Sequence, residues 1–163
     1  MSSEYASAGD KIRILFGSET GTAEEFAFDL ENSLQSSDYS CEVADLDDYD
    51  RTQLPQESLV FLVISTYGNG EPPYNAEDMH AWLESQEPDL SSVSFAVCGL
   101  GDTGYPAFAQ AGKDFDQFIA DCGAERILPR FEIDACFDES VEPFIELVQN
   151  WLSENGAQYK KTV

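Results

Sequence analysis

Apolar positions along this chain switch between two spacings. Ile12–Phe16 is a short apolar run that stops at Gly17, and Thr22–Leu34 then sets Ala23, Phe26, Ala27, Leu30 and Leu34 on one helical face. Glu42–Leu46 alternates as a short strand, and an acidic, Tyr-containing connection follows as far as Pro55. Leu59–Ile64 and Val93–Cys98 are unbroken apolar runs, the pattern of strands covered on both faces. Between them a Gly/Pro loop leads to a short helix that Asn75 can cap, with Glu77 and Asp78 in its first turn. Phe115, Phe118, Ile119 and Cys122 mark a further helix that Gly123 can end. Ile127–Ile133 reads as a fifth strand, with Pro129 and Arg130 making it an edge strand. Val141, Phe144, Ile145, Val148, Trp151 and Leu152 share one face of a last helix. Helices span all but one gap between strands, which predicts a parallel sheet covered on both sides. The 163 residues suit one α/β domain, with 1–10 and 157–163 as loose ends and about 11–156 ordered.

Ligands of an open parallel sheet bind beyond the carboxyl ends of its strands. Three loops lie there: 17–22, 65–75 and 99–109. In the first, a strand delivers Ser18, Thr20 and Thr22 to a helix start, where free N–H groups and the helix dipole favour an anion. No Lys or Arg stands in that loop, so it suits a phosphate held by dipoles and not a nucleotide hydrolase. The second loop sets Tyr67 beside Gly68 and Gly70; its ring is either placed to stack on a planar ligand or is a surface tyrosine in a turn. The third, Gly99-Leu100-Gly101-Asp102-Thr103-Gly104-Tyr105, spells G-x-G-x-x-G. It does not follow the first strand, Tyr105-Pro106 interrupts before any helix, and the expected acid is missing, so a dinucleotide site is rejected. A second aromatic clamp, Tyr105, fits better. His80 reads as a surface or packing residue, and Trp82 and Trp151 fit helix core faces.

Charge narrows the partners. Asp and Glu number 32 against 8 Lys and Arg, a net −24. Nucleic acid and anionic membranes are excluded, because both need a basic surface. A basic protein face is the natural partner; solvation in a salt-rich cell is the alternative. Cys41, Cys98, Cys122 and Cys136 include no C-x-x-C pair, and with one histidine they argue against zinc and for free thiols in a reducing cytoplasm. No signal peptide opens the chain, and the longest apolar run, Leu59–Ile64, is too short to span a bilayer.

Gly17–Ala27, Ser65–Ala76, Gly99–Asp116 and Gly123–Ile127 together resemble the flavodoxin family. Within it they are most similar to the FMN-binding domain of diflavin reductases, such as the sulfite reductase flavoprotein. The resemblance covers about residues 12–155. It implies a flavodoxin-like three-layer sandwich, a five-stranded parallel sheet of order 2-1-3-4-5 with helices on both faces. It implies FMN, with the phosphate on Ser18, Glu19, Thr20, Gly21, Thr22 and Ala23 and the flavin between Tyr67 and Tyr105. Ser65, Thr66, Gly68, Asn69, Leu100, Gly101, Asp102, Phe108 and Asp134 complete the implied set. Ala109 stands where some relatives carry an amide.

These readings make the chain a monomeric, cytoplasmic one-electron carrier, with no substrate of its own. It would shuttle electrons from a basic reductase to a haem or iron–sulfur acceptor by way of a neutral semiquinone. Gly68 would turn its peptide to accept from the reduced flavin N5–H, while Asp102 and the surface acids oppose the second electron. The alternatives are the isolated FMN domain of a diflavin reductase and a flavodoxin-like quinone reductase; Met1 and the lack of a closing linker favour the carrier. A receiver-type signalling domain is rejected, since Ser65-Thr66 and Asp134 stand where it needs an acceptor Asp and a Lys.

Overall fold

The computed structural model describes residues 11–18, 21–66, 71–102, 109–134 and 139–161. Among the described residues, four α-helices and six strands follow in chain order: β1 Ile12–Gly17, α1 Thr22–Ser36, β2 Cys41–Asp45, β3 Leu59–Ser65, α2 Glu77–Gln86, β4 Ser94–Gly101, α3 Gln110–Asp121, β5 Glu125–Arg126, β6 Phe131–Asp134 and α4 Glu142–Asn155. The strands form one parallel sheet of order β2-β1-β3-β4-β5, with β6 also paired to β4. The gap that showed no helix in the sequence, between β2 and β3, holds a 3-10 turn at Arg51–Gln56.

Alternation within the strands builds two cores. Ile12, Ile14, Phe16, Leu59, Phe61, Val63, Ala96, Cys98 and Leu100 meet Ala23, Ala27, Leu30 and Leu34 of α1 and Phe144, Ile145, Val148 and Leu152 of α4. On the other face, Leu15, Val60, Leu62, Ile64, Phe95 and Val97 meet Met79 and Leu83 of α2 and Phe115 and Ile119 of α3. Unbroken apolar runs are therefore what a sheet covered on both sides requires. Among the described residues, no helix is long and apolar enough to cross a membrane.

Two sequence expectations are corrected here. The fifth strand is not continuous over Ile127–Ile133. β5 pairs with Ser94 and Phe95 at the start of β4, and β6 pairs with Cys98–Gly101 at its end. Pro129 has no N–H to give the ladder, and the chain leaves the sheet there. The break lets Arg126 Nε (2.8 Å) and Arg130 Nη1 (2.9 Å) donate to the two carboxylate oxygens of Asp116, which is buried on α3. Residues 157–161 are not a loose end either. Tyr159 is buried, its carbonyl accepts from Ser40 N at 2.8 Å, and its hydroxyl meets Ser58 Oγ at 2.5 Å. Lys161 N donates to Asp38 O, and Lys160 Nζ lies 4.3 Å from the centre of the Tyr39 ring. An amphipathic Tyr followed by lysines carries no periodic signal, so the pattern stopped at the helix.

Candidate functional site

Register decides where the site lies. Gly17 of β1 is level with Ile64 of β3, Ser65 with Leu100 of β4, and Gly101 with Asp134 of β6. The carboxyl ends of β1, β3, β4 and β6 thus finish within a residue step of one another, and the loops singled out in the sequence leave from this edge.

The described ends of the first loop are fixed by hydrogen bonds. Ser18 Oγ accepts from Gly21 N at 2.9 Å. Gly21 has φ +94°, a left-handed conformation that side-chain-bearing residues rarely adopt, and the space where a Cβ would stand is open. Its carbonyl accepts from Glu25 N at 2.9 Å, the first bond of α1. The amides of Thr22, Ala23 and Glu24 precede that bond, so they belong to the donors a helix start leaves over. Ala23 is buried, so it can offer only its backbone. A cleft of about 390 Å³ beside the helix start is lined by Glu25, Asp29 and Glu139. Its acids leave the helix start, and not the cleft, as the place for an anion.

Asn75 does not cap a helix. It sits in a 3-10 turn, Tyr74–Ala76, and α2 begins after it at Glu77 without a side-chain cap. Its amide instead spans the site edge: Oδ1 accepts from Ser18 N at 3.0 Å, and Nδ2 donates to Asp45 Oδ1 at 2.9 Å. The ends of β1 and β2 are joined by this one side chain. The sequence offered a signal only for the cap, because Asn before two acids is the local pattern of a helix start.

The second and third loops are also tied together. Thr66 N donates to Leu100 O at 3.1 Å, and Thr66 Oγ1 accepts from Ala111 N at 2.9 Å in the first turn of α3. Thr66, expected at the edge of a flat ligand, therefore also serves as the donor-satisfying cap of α3. Leu100, expected beside it, is a core residue whose side chain is buried, so only its backbone reaches the edge. Ser65 and Asp134 are buried at their strand ends, and Asp102 is half-buried just past β4. Asp134 N donates to Glu139 Oε1 at 2.7 Å, a bond that closes the loop after β6. Of the expected site residues, Ser18, Gly21, Thr22, Ala23, Ser65, Thr66, Leu100, Gly101, Asp102 and Asp134 come together on this one edge. Glu19, Thr20, Tyr67, Gly68, Asn69, Tyr105 and Phe108 lie outside the described residues.

Other candidates are structural. His80 Nε2 lies 3.1 Å from Asp114 Oδ2, and its ring meets Phe115 and Phe118 edge-on, so it packs α2 on α3. Cys41, Cys98 and Cys122 are buried free thiols, and burial pushes the Cys41 thiol up to about 12. Exposed acids follow the strand ends along the chain: Glu24, Glu25, Asp47, Asp48, Glu71, Glu77, Asp78 and Glu139. Asp50 is used locally, accepting from Thr52 N and Oγ1. No cluster of three or more metal-ligating side chains occurs among the described residues.

Known proteins share both sequence and architecture. The family model described as Flavodoxin matches residues 14–151. A sulfite reductase [NADPH] flavoprotein alpha-component of Bacillus subtilis (strain 168) is 36% identical over 147 residues, 90% of this chain and 24% of that protein. Its counterpart in Serratia proteamaculans (strain 568) is 41% identical over 135 residues, 82% of this chain and 22% of that protein. The chain thus spans about a quarter of the length of the curated relatives it matches. Among solved structures, a Streptococcus pneumoniae TIGR4 flavodoxin superposes with TM-score 0.75 at 28% identity, over 91% of this chain and 99% of that one. Oxidised flavodoxin 1 of Bacillus cereus has the same fold, with TM-score 0.76 at 24% identity, over 88% of this chain and 97% of that one.

Proposed function

The chain belongs to the flavodoxin family, and on that premise we propose that it binds FMN and carries single electrons between redox proteins. One observation carries the reading: a helix start with neutral donors opens onto the edge where four parallel strands end together. A phosphate monoester fits that start. Its charge meets the dipole and left-over amides of α1, with the hydroxyls of Ser18, Thr20 and Thr22 as further donors. The backbones of Glu19, Gly21 and Ala23 complete the phosphate group. Tyr67 and Tyr105 would take the two flavin faces, with Ser65, Thr66, Gly68, Asn69, Leu100, Gly101, Asp102, Phe108 and Asp134 about the rim.

FMN, when bound, gives and accepts electrons one at a time. The chain's own part is to orient it and to surround its exposed edge with negative charge. The carboxylates near that edge disfavour extra electron density on the ring system, since like charges at low effective dielectric repel. They also favour a basic docking face on both donor and acceptor, so transfer rates should fall as salt rises. A rate independent of ionic strength would leave solvation as the reason for the charge. Buried free thiols at Cys41, Cys98 and Cys122 support a reducing, cytoplasmic setting, and the carrier is proposed to be monomeric.

Titration of the flavin-free chain with FMN tests the core of the proposal. Stoichiometric quenching of flavin fluorescence is expected; no uptake would overturn it. The length relation to the relatives favours one second reading, the FMN-binding part of a larger NADPH-dependent reductase. The carrier reading expects the loaded chain to accept electrons from a separate reductase at a rate that saturates with chain concentration. It also expects no NADPH consumption by the chain alone.

A further inference from the structure

We propose that Asn75 is a positioning residue that shapes the phosphate loop before any ligand arrives, and so sets how strongly this chain prefers FMN over riboflavin. The proposal rests on the FMN-binding reading above. Its ground is the bridge from Ser18 N to Asp45 Oδ1.

The bridge has one orientation. Asn75 Oδ1 faces an N–H and its Nδ2 faces a carboxylate, so a flipped amide would set donor against donor and oxygen against oxygen. Asp45 Oδ1 also accepts from Asp47 N at 2.8 Å, which holds the carboxylate in place at the end of β2. From there the hydrogen bonds run without a gap: Asp45, Asn75, Ser18 N, then Ser18 Oγ to Gly21 N at the threshold of α1. A bond to a charged acceptor is stronger than a neutral one and polarises the amide, which makes Oδ1 a better acceptor for Ser18.

Placement of Asn75 is built into the packing. Ala76 is fully buried, and a Cβ on Gly17 would come within 3.0 Å of the Ala76 Cβ and 2.4 Å of Ile64 Cδ1. Glycine at the end of β1 leaves room for the Tyr74–Ala76 turn to sit this close. Pro72 and Pro73 precede the turn with fixed φ, and Ala76 N donates to Pro73 O at 2.8 Å, which closes it. Asn75 therefore reaches Ser18 from a rigid mount.

Chemistry explains why the bridge is an amide. A carboxylate reaching Ser18 N directly would put a negative charge inside a loop that must take a phosphate. Asn75 hands on the hydrogen bond and leaves the charge at Asp45. Pre-shaping of this kind raises affinity by removing the cost of ordering the loop on binding. Riboflavin lacks the phosphate, so its affinity should not sense the bridge.

Fluorescence titrations of wild type, Asn75→Ala and Asn75→Asp with FMN and with riboflavin test the idea. Loss of two hydrogen bonds in Asn75→Ala should weaken FMN about tenfold, with riboflavin unchanged within about twofold. Asn75→Asp keeps an acceptor for Ser18 but adds charge, so FMN should weaken by about a further fivefold at neutral pH. Equal FMN affinity in wild type and variants would overturn the proposal. So would parallel losses for both flavins, which mark a general structural role. If Asn75→Ala does not fold, judged by far-UV circular dichroism, the near-isosteric Asn75→Asp carries the same comparison. Failure of the wild type to bind FMN would instead overturn the reading on which the proposal stands.

Discussion

At the amino end of the sheet, Arg13 of β1 donates to Glu57 at 3.0 Å and to Glu42 of β2 at 2.6 Å, and its guanidinium lies 5.3 Å from the centre of the Tyr49 ring. Tyr49 in turn donates its hydroxyl to Glu57. At the carboxyl end the same two strands are joined by the neutral amide of Asn75, with Asp45 as the charged anchor on the side away from Ser18. Both ends must hold β1 to β2, so the difference lies in what else each end does. At the amino end, charges of opposite sign neutralise one another. The carboxyl end, on the proposed function, receives an anion. An arginine there would pair with Asp45, whereas the neutral amide of Asn75 adds no positive charge.

The strongest way to break this comparison is Glu57→Ala. It strips Arg13 of a partner and Tyr49 of its acceptor, where the Arg13 and Glu57 side chains are only 15% and 12% exposed. A loss of about 3 kcal/mol in urea unfolding is expected, with FMN affinity within about twofold of wild type. Weaker FMN binding at unchanged stability would show that the two ends are not separate. Next in size is alkaline pH, which tests the core between the ends. Burial raises the Cys41 thiol from 9.0 to about 12 and also raises Cys98. Their contribution is complete below pH 9.0, where the unfolded thiols are neutral, and is lost as pH rises toward the folded values. Each thiol should cost at most about 1.4 kcal/mol per pH unit in that window, and Cys41→Ala should flatten the slope.

Thr66→Val removes the cap from α3 and should cost about 1 kcal/mol, with faster amide exchange in the first turn of that helix; Thr66→Ser should restore both. The smallest effect belongs to Glu42→Ala. The Glu42 side chain is 53% exposed, so no more than about 0.5 kcal/mol is expected, vanishing in high salt. The hydrogen bond from Arg13 holds the Glu42 carboxyl below its usual range. What it adds is therefore present above about pH 4.5 and is lost as pH falls through the lowered value. A Glu42→Ala deficit that persists below that range would contradict the assignment.

Much of the fold was legible because its signals are local. Periods of two and of about 3.6 residues mark strands and helices, and Gly and Pro punctuate them. Runs such as Leu59–Ile64 announce cover on both faces, and the strand-to-helix passage at Ser18–Thr22 is the local pattern that suits an anion. Thr66 and Leu100 stand at the carboxyl ends of β3 and β4, but what their side chains do there was not visible in the sequence. Asn75 shows the same gap more sharply: its neighbours in sequence suggest a helix cap, and its neighbours in space make it a bridge.

Order of elements and the loops that leave the carboxyl edge of the sheet followed from the chain alone, since each depends on residues a few positions apart; the flavin followed from the family resemblance. The tertiary structure decided the Ser18–Asn75–Asp45 bridge, the Thr66 cap, the break between β5 and β6 and the docking of Tyr159. Those contacts join residues 57, 30, 45 and 101 positions apart, or depend, at the β5–β6 break, on arginines reaching the buried Asp116. A polar side chain's partner is set by which loops the packed sheet brings within about 3 Å, and no local pattern encodes that distance.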